Sequence, residues 1–251
     1  MAGRAGDIQH NGVLVMAMTL DELVRQLTDA YGETLRSVVL YGSAVAGEHI
    51  AKKSDYNVLV ILERVPLDRL AAVGAVLRAW SDAGNPPPMM FTESEWKSSS
   101  DVFPMEYADI LERHRVLYGD DPSTGIRVAK SDLRLQVEQQ ALGKLLHLRR
   151  GAMAAGVDQK AQVSLLEASL STLMVVFRGV VRLHGETPPQ DYVDLSKTVG
   201  AKAGFDAAPF ERVVRHVRGI SKLEREQAGG VLAGYLGAME TLVAYLDRYP
   251  T

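Results

Sequence analysis

The sequence contains no cysteine among its 251 residues. Without thiols, the protein has no disulfide framework, no thiolate metal site and no cysteine nucleophile. Histidine is also sparse, and no two of the six histidines are separated by three or four residues, the spacing that places two imidazoles on one helix face. A histidine metal site is therefore not indicated.

Strong net charge and long uninterrupted apolar runs are missing as well. The formal net charge of −3 makes nucleic acid an unlikely partner. The most apolar segment, 163–183, carries Glu167, Arg178 and Arg182, which predicts a buried bundle helix rather than a membrane span. Residues 1–18 lack the pattern of a secretion signal and are expected to form a poorly ordered arm. With 47% hydrophobic residues, the chain is predicted to be a globular cytoplasmic protein that does not bind a membrane.

Two apolar segments joined by a short polar connection are the most informative feature of the chain. Residues 38–41 lead into Gly42 and Ser43, and after eleven intervening residues Asp55 opens a second apolar run. The pattern predicts a strand, a glycine turn, a connection and a second strand. Because residues i and i+2 of a strand project from one face, Asp55 and Asn57 should point the same way, toward the glycine turn.

A glycine-serine turn of this kind suits a phosphate group. The missing Cβ of Gly42 allows phosphate oxygens to approach the backbone, and Ser43 adds a hydroxyl. Lys53 precedes the second strand, where its ammonium group either neutralises phosphate or caps the loop. We therefore take Gly42, Ser43 and Lys53 as candidate nucleotide-binding residues.

This combination resembles the signature of the DNA polymerase beta-like nucleotidyltransferase superfamily. In that signature a glycine turn is followed, about ten residues later, by Asp-x-Asp or Asp-x-Glu on a strand. The resemblance implies that ATP or another nucleoside triphosphate binds with Mg²⁺, and that Asp55 and Asn57 are the metal ligands. Asn57 stands where the second carboxylate is expected, and it supplies an oxygen without the charge that two hard cations require.

The superfamily takes a third acidic residue from the next strand, after an intervening helix. The helix is predicted at 67–83 and the strand at 88–92, but that strand contains no carboxylate. Glu93 and Glu95 follow it, and Glu95 is more simply read as part of a capping box with Thr92. Glu106, in the segment 103–110 that is expected to be extended, is the preferred catalytic candidate beside Asp55, although a buried ion pair would also explain it.

The chain changes character near residue 121, which predicts two domains. An α/β (α+β) nucleotidyltransferase domain with a mixed sheet is expected at 19–121, opening with a helix from the Thr19 capping box to Arg36. An all-α bundle is expected at 122–251, with its first helix capped at 131–132 and ended at Gly151. The predicted bundle core contains Leu142, Leu145, Leu148, Leu166, Leu170, Leu173 and Phe177.

The two-domain layout resembles that of aminoglycoside adenylyltransferases. In those enzymes ATP binds the first domain, the acceptor lies against the bundle, and an acidic side chain accepts the proton of the acceptor hydroxyl. The resemblance implies a nucleotide partner and an unknown small-molecule or protein acceptor. Basic residues of the bundle could then contact the triphosphate, although most are expected to be solvated: Arg134, Lys144, Arg149 and Arg150.

Three functions remain open at the level of sequence. The first is a nucleotide-binding protein of the nucleotidyltransferase fold that is catalytically weak or inactive, because losing one metal-binding charge costs orders of magnitude in rate. The second is an active Mg²⁺-dependent adenylyltransferase that uses Asp55, Asn57 and Glu106. The third is a regulatory or interaction protein with a vestigial site. The missing carboxylate favours the first.

Overall fold

The computed structural model describes residues 18–46, 56–65 and 67–250. The strands are Leu35–Tyr41 (β1), Asn57–Leu62 (β2), Met89–Thr92 (β3) and His114–Gly119 (β4). The helices before β4 are Leu20–Tyr31 (α1), Leu67–Ala72 (α2), Gly74–Asp82 (α3), Glu93–Ser98 (α4) and Pro104–Glu112 (α5). The helices after it are Lys130–Ala155 (α6), Gln159–Leu183 (α7), Tyr192–Ala203 (α8), Ala208–Val217 (α9) and Ala228–Asp247 (α10).

The chain forms two compact units. The first, which we call the α/β unit, takes the described residues up to Lys97 together with Glu112–Thr124. The second, the helical unit, takes Ser98–Leu111 and the described residues from Gly125 onward. The predicted architecture, a domain with a mixed sheet followed by a helical domain, is confirmed.

The sheet of the α/β unit has the strand order β3-β2-β1-β4. β1 is antiparallel to β2 and to β4, whereas β2 and β3 run parallel, so the sheet is mixed. Side chains of alternate residues point to one face because the strand period is two. Val38, Leu40, Val58 and Val60 thus form one core with Trp80 of α3 and with apolar residues of α1.

α1 begins where the sequence predicts and ends earlier. The Thr19 hydroxyl accepts a hydrogen bond from the Glu22 amide at 3.2 Å, which confirms the N-cap. The helix stops at Tyr31 because Gly32 adopts a positive φ of 53°, a conformation that favours glycine. The prediction that the helix continues to Arg36 is wrong, since Leu35 and Arg36 already belong to β1.

The predicted helix at 67–83 is interrupted. α2 ends at Ala72 and α3 begins at Gly74, and Val73 between them is fully buried. Glycine weakens a helix at this point, and Val73 departs from regular helical geometry with a ψ of −1°. The next strand is found as predicted, at Met89–Thr92.

The segment 103–110 is not extended, and this prediction is wrong. Pro104 opens α5, where the fixed φ of proline suits the first turn and its missing N–H costs nothing. Buried Tyr107 and Ile110 are three residues apart, a helical spacing that outweighs the alternation at 103–107. Glu106 therefore lies on a helix. The sequence analysis also missed β4, whose charged and half-exposed residues give a weak strand signal.

The helical unit consists largely of long helices around one core. Its core contains the predicted residues Leu145, Leu148, Leu166, Leu170, Leu173 and Phe177, but Leu142 is exposed and that part of the prediction is wrong. α6 starts one residue before Ser131, with Ala129 as its N-cap, and runs past Gly151 to Ala155. Gly151 does not end the helix: a Cβ there would lie 2.5 Å from Leu165, so glycine allows α6 and α7 to pack closely.

Two described helical segments are long and apolar enough to cross a membrane by length and composition: Gln159–Leu183 and Arg225–Asp247. Core helices of soluble proteins pass the same test. Both segments contribute residues such as Phe177 and Leu242 to the core of the helical unit. Packing within the unit buries 50% of the apolar window in the first segment and 39% of that in the second.

Candidate functional site

Three strands of the sheet meet at one edge beside the glycine turn. Tyr41, the last residue of β1, pairs with Asn57 on one side and with His114 on the other. Asn57 and His114 are the first residues of β2 and β4, which run antiparallel to β1. We call this edge, with Gly42, Asn57 and His114, the Gly42 end of the sheet.

Gly42 forms the turn that follows β1 at this end of the sheet. It is buried and has a φ of 78°, a left-handed conformation that side chains disfavour, so glycine is the residue that makes the turn without strain. Its amide donates to the carbonyl oxygen of Arg113 at 3.3 Å. That amide is thus engaged with the backbone, and Ser43 follows it in the turn Gly42–Ala46. The predicted residues Lys53 and Asp55 lie outside the described residues.

Asn57 is half-buried at the start of β2. It lies on the opposite sheet face from Val58 and Val60, which face the core shared with α1 and α3. Among the described residues no partner for its side-chain amide is found. An Asn in this setting is available to a ligand as both a donor and an acceptor.

The backbone beside Asn57 is tied to the proline-rich connection before β3. The amide of Tyr56 donates to the Asn85 side-chain oxygen at 2.9 Å, and the Trp80 indole donates to the Pro86 carbonyl at 2.8 Å. Tyr56 and Trp80 also stack, with ring centroids 6.1 Å apart. These contacts fix the position at which β2 begins, and therefore the position of Asn57.

Charged residues that the sequence analysis did not select lie at the same edge. Arg113, whose carbonyl holds Gly42, forms an ion pair with Glu112 at 3.2 Å, and both side chains are largely buried. His114 Nε2 lies 3.2 Å from Asp121 Oδ1. Detecting these residues requires the pairing of β4 with β1, which no short motif in the sequence indicates.

The acidic residues considered as a third carboxylate each have a structural contact. Because β3 is parallel to β2 and Thr92 pairs with Leu62, Glu93 and Glu95 follow the end of β3 that is remote from Asn57. Glu95 completes the predicted capping box: its carboxylate accepts from the Thr92 amide at 2.8 Å. Glu93 lies 3.7 Å from Arg36.

Glu106 and Asp109 belong to the helical unit. The Gln136 side chain donates to Glu106 Oε2 at 3.0 Å, and Asp109 forms a 2.7 Å ion pair with Arg182. The alternative raised for Glu106 was a buried ion pair with an arginine. An arginine pairs with Asp109 instead, and that pair is only partly buried. Glu106 is partly buried beside a neutral amide.

The described residues do not fit a site for two divalent cations. No group of three or more His, Asp or Glu residues that could hold a metal ion occurs in the described part of the chain. At the Gly42 end, Asn57 supplies a neutral oxygen, whereas hard cations need several oxygens that carry negative charge. The other predicted ligand, Asp55, lies outside the described residues.

Two of the four basic bundle residues singled out in the sequence, Arg134 and Arg149, have structural partners. Arg134 donates to the carbonyl oxygen of Leu246 at 3.1 Å and forms an ion pair with Glu138 at 2.9 Å. Arg149 pairs with Glu240 at 2.8 Å. Lys144 lines a groove of about 500 Å³ between α6 and α7. The other lining residues of this groove are Gln139, Gln140, Gly143, His147, Leu165, Ala168, Ser169 and Thr172.

Comparison with protein-family models and with curated protein sequences gives no match. Among solved structures, the chain is similar to spectinomycin adenyltransferase AAD(9) from Enterococcus faecialis, crystallised with ATP and spectinomycin. The TM-score is 0.57 at 12% sequence identity, and the match covers 91% of this chain and 98% of that chain. At this identity the similarity shows a shared fold alone.

Proposed function

We propose that this protein binds a nucleotide at the Gly42 end of its sheet and transfers nucleotidyl groups weakly or not at all. The observation that carries the proposal is the register of β1 and β2. It sets Asn57 opposite Tyr41, one residue from the glycine turn. In the motif that the sequence resembles, a metal-binding carboxylate stands at this position, and a neutral amide there supports weak or absent catalysis.

The fold likeness supports the nucleotide as the ligand class. The matched adenyltransferase was crystallised with ATP, and the match extends over both units of this chain. In the proposed complex, Gly42 leaves room for phosphate oxygens, Ser43 and Lys53 contribute a hydroxyl and an ammonium group, and Asn57 donates or accepts through its amide. The protein acts in the cytoplasm and needs no membrane.

Charge at the Gly42 end explains why binding and catalysis are separable in this proposal. Positioning of a triphosphate requires hydrogen-bond donors and cations, which Lys53 and Arg113 supply. In-line displacement also requires charge neutralisation as the pyrophosphate leaves, and Mg²⁺ held by Asp55 with Asn57 would be weakly bound. The protein is then a nucleotide sensor or a slow enzyme.

The alternative function is active adenylyl transfer to a hydroxyl of a small molecule or a protein. The partial burial of Glu106 next to a neutral amide favours it, because such a carboxylate is suited to accept a proton. In this alternative Asp55 holds the metal, Asn57 is a neutral ligand and Glu106 is the base. A third reading, an interaction protein with a vestigial site, predicts no nucleotide binding.

Calorimetric titration with ATP, with and without Mg²⁺, separates these functions. The wild type should bind ATP with little dependence on Mg²⁺, whereas Asn57→Asp should bind Mg²⁺–ATP about tenfold more tightly because the missing ligand charge is restored. Asp55→Ala should remove whatever Mg²⁺ dependence the wild type has. The matched control is Asn85→Asp, which adds a charge near the same edge and keeps both Asn57 and an oxygen that can accept from the Tyr56 amide.

The contradicting result is equally specific. Strong Mg²⁺-dependent ATP binding that Asn57→Asp leaves unchanged, with turnover abolished by both Asp55→Ala and Glu106→Gln, would establish the active enzyme. Absence of ATP binding by folded wild-type protein would leave the interaction protein as the remaining function.

A further inference from the structure

Helix α6 carries four large apolar side chains on its solvent side: Leu135, Leu142, Leu146 and Met153. Between 42% and 76% of each residue's surface is exposed. They are separated by seven, four and seven residues, and at 100° per residue all lie within an arc of about 40°. The line they form, which we call the α6 stripe, is about 27 Å long.

The α6 stripe is separate from the core-facing side of α6. The core side carries Leu133, Val137, Ala141, Leu145 and Leu148, all buried within the helical unit. Arg134 and Arg149 attach α6 to α10, and the close packing of Gly151 on Leu165 attaches it to α7. A helix that is apolar on its solvent side as well as its core side presents an interaction surface.

We propose that the α6 stripe is covered by the α6 stripe of a second copy of this chain, with the two helices antiparallel. The spacing of seven, four and seven residues reads the same in both directions. An antiparallel copy therefore places Leu142 against the second copy's Leu146, and Leu135 against the second copy's Met153. Seven-residue and four-residue intervals are those by which paired helices interdigitate.

The charges that flank the stripe favour this arrangement. Glu138 and Arg149 lie on the same flank, six residues before and five residues after the centre of the stripe near Lys144. A two-fold axis at that centre brings Glu138 next to the second copy's Arg149. On the other flank it brings Gln139 next to the second copy's Arg150. A parallel pair would instead place Arg149 against the second copy's Arg150 on both flanks, and these two charges repel.

The existing ion pairs are compatible with the contact. Arg134 already pairs with Glu138, and Arg149 with Glu240. Across the two-fold axis these pairs join into a row of alternating charge, from Arg134 and Glu138 of one copy to Arg149 and Glu240 of the other. No residue of the Gly42 end takes part, so the inference does not depend on the proposed function.

Sedimentation velocity over two orders of magnitude of protein concentration tests self-association. The wild type should shift from the mass of one chain to that of two. Leu142→Lys/Leu146→Lys, which sets four ammonium groups together at the centre of the dimer, should remain a single chain at every concentration. Ile220→Lys is the matched control: Ile220 is 65% exposed and lies outside α6, so this variant should dimerise like the wild type.

Cross-linking then tests the direction of the helices, and the absence of native cysteine makes the result unambiguous. A mixture of Leu135→Cys and Met153→Cys proteins should oxidise to the mixed disulfide, because a disulfide requires Cα atoms within about 7 Å. Each variant alone should not cross-link, since its two cysteines are about 27 Å apart in the antiparallel dimer.

Each result that would overturn the proposed dimer contradicts a different part of it. A wild type that stays a single chain at all concentrations shows that a second copy does not cover the stripe. A dimer that Leu142→Lys/Leu146→Lys does not disrupt forms through another surface. Cross-linking of Leu135→Cys with itself establishes the parallel arrangement. Circular dichroism of each variant confirms that the exposed substitutions leave the helices intact.

Discussion

The two ends of the same sheet are built in different ways. At the Gly42 end, Asn57 has no side-chain partner among the described residues, and Gly42 is held by one long backbone hydrogen bond. The opposite end, which we call the Ser37 end, is densely bonded. Ser37 is buried and its hydroxyl donates to the Asp120 carbonyl at 2.6 Å, and Arg36 pairs with Glu63 and Glu93.

The difference shows where the sequence places its stabilising contacts. At the Ser37 end, acidic residues form ion pairs and complete the capping box of α4. At the same end the Trp96 indole donates a hydrogen bond to the Pro122 carbonyl oxygen at 2.8 Å. At the Gly42 end, the Asn57 side chain lies beside the glycine turn and has no partner among the described residues. Side chains that the fold does not need are the ones available for ligands.

The largest expected effect is at the Ser37 end, where Gly119 passes against β1. Gly119 has a φ of 73°, and a Cβ added there would lie 1.9 Å from the Arg36 carbonyl oxygen. Gly119→Ala should therefore lower the free energy of unfolding by about 3 kcal/mol or more, since backbone has to move. Urea denaturation followed by circular dichroism measures the change.

The matched control for Gly119 is Gly84→Ala. Gly84 has a φ of 90°, but nothing lies within 4 Å of the added Cβ. Only the conformational strain of about 1 kcal/mol is expected there. Equal losses in the two variants would show that the close approach of Gly119 to β1 does not hold the Ser37 end together.

The second prediction concerns Asp121, which bonds to the first residue of β4 from the segment that follows it. Hydrogen bonds from Ser123 hold the pKa of the Asp121 carboxyl below its ordinary value, with a smaller contribution from His114. Because its pKa is lower in the folded than in the unfolded protein, the ionised Asp121 carboxylate stabilises the fold at a pH above the unfolded-state pKa of about 4. This stabilisation is lost as the pH falls through the folded-state pKa.

Asp121→Asn removes this titration. The variant should be less stable than the wild type at pH 6, and the difference should shrink steadily as the pH is lowered from about 5 to 3. Ser123→Ala should show part of the same change, because it removes the largest cause of the shift. A difference between Asp121→Asn and wild type that is constant with pH would show that the ionised form has no special role.

Sequence reasoning reached those parts of the molecule that follow from local chemistry. The Thr19 and Thr92 caps, the strand before Gly42 and the long bundle helices each depend on a few neighbouring residues. Errors arose where tertiary packing decides. Leu142 has the helical spacing of a core residue, and only its neighbours show that it faces outward.

The candidate site, too, could be predicted from the sequence only where it depends on residues close together in the chain. The spacing from Gly42 to Asn57 predicted that the two residues lie together, because that relation belongs to one hairpin-like pair of strands. Arg113 and His114 were missed because their position depends on β4, about seventy residues away along the chain, pairing with β1. Such long-range pairing leaves no local pattern in the sequence.

The smallest expected effect on stability is at Asn57, and it completes the contrast between the two ends. Asn57→Asp replaces a half-buried amide, for which the described residues offer no partner, with a carboxylate of the same shape. The free energy of unfolding at pH 7 without ligand should change by less than about 0.5 kcal/mol, as for substitutions away from buried networks. The same urea denaturation measures it, with Gly119→Ala as the reference for the opposite end. A decrease of more than about 1 kcal/mol in the free energy of unfolding would mean that the Asn57 amide stabilises the sheet. Asn57 would then have a structural role like that of the bonded residues at the Ser37 end.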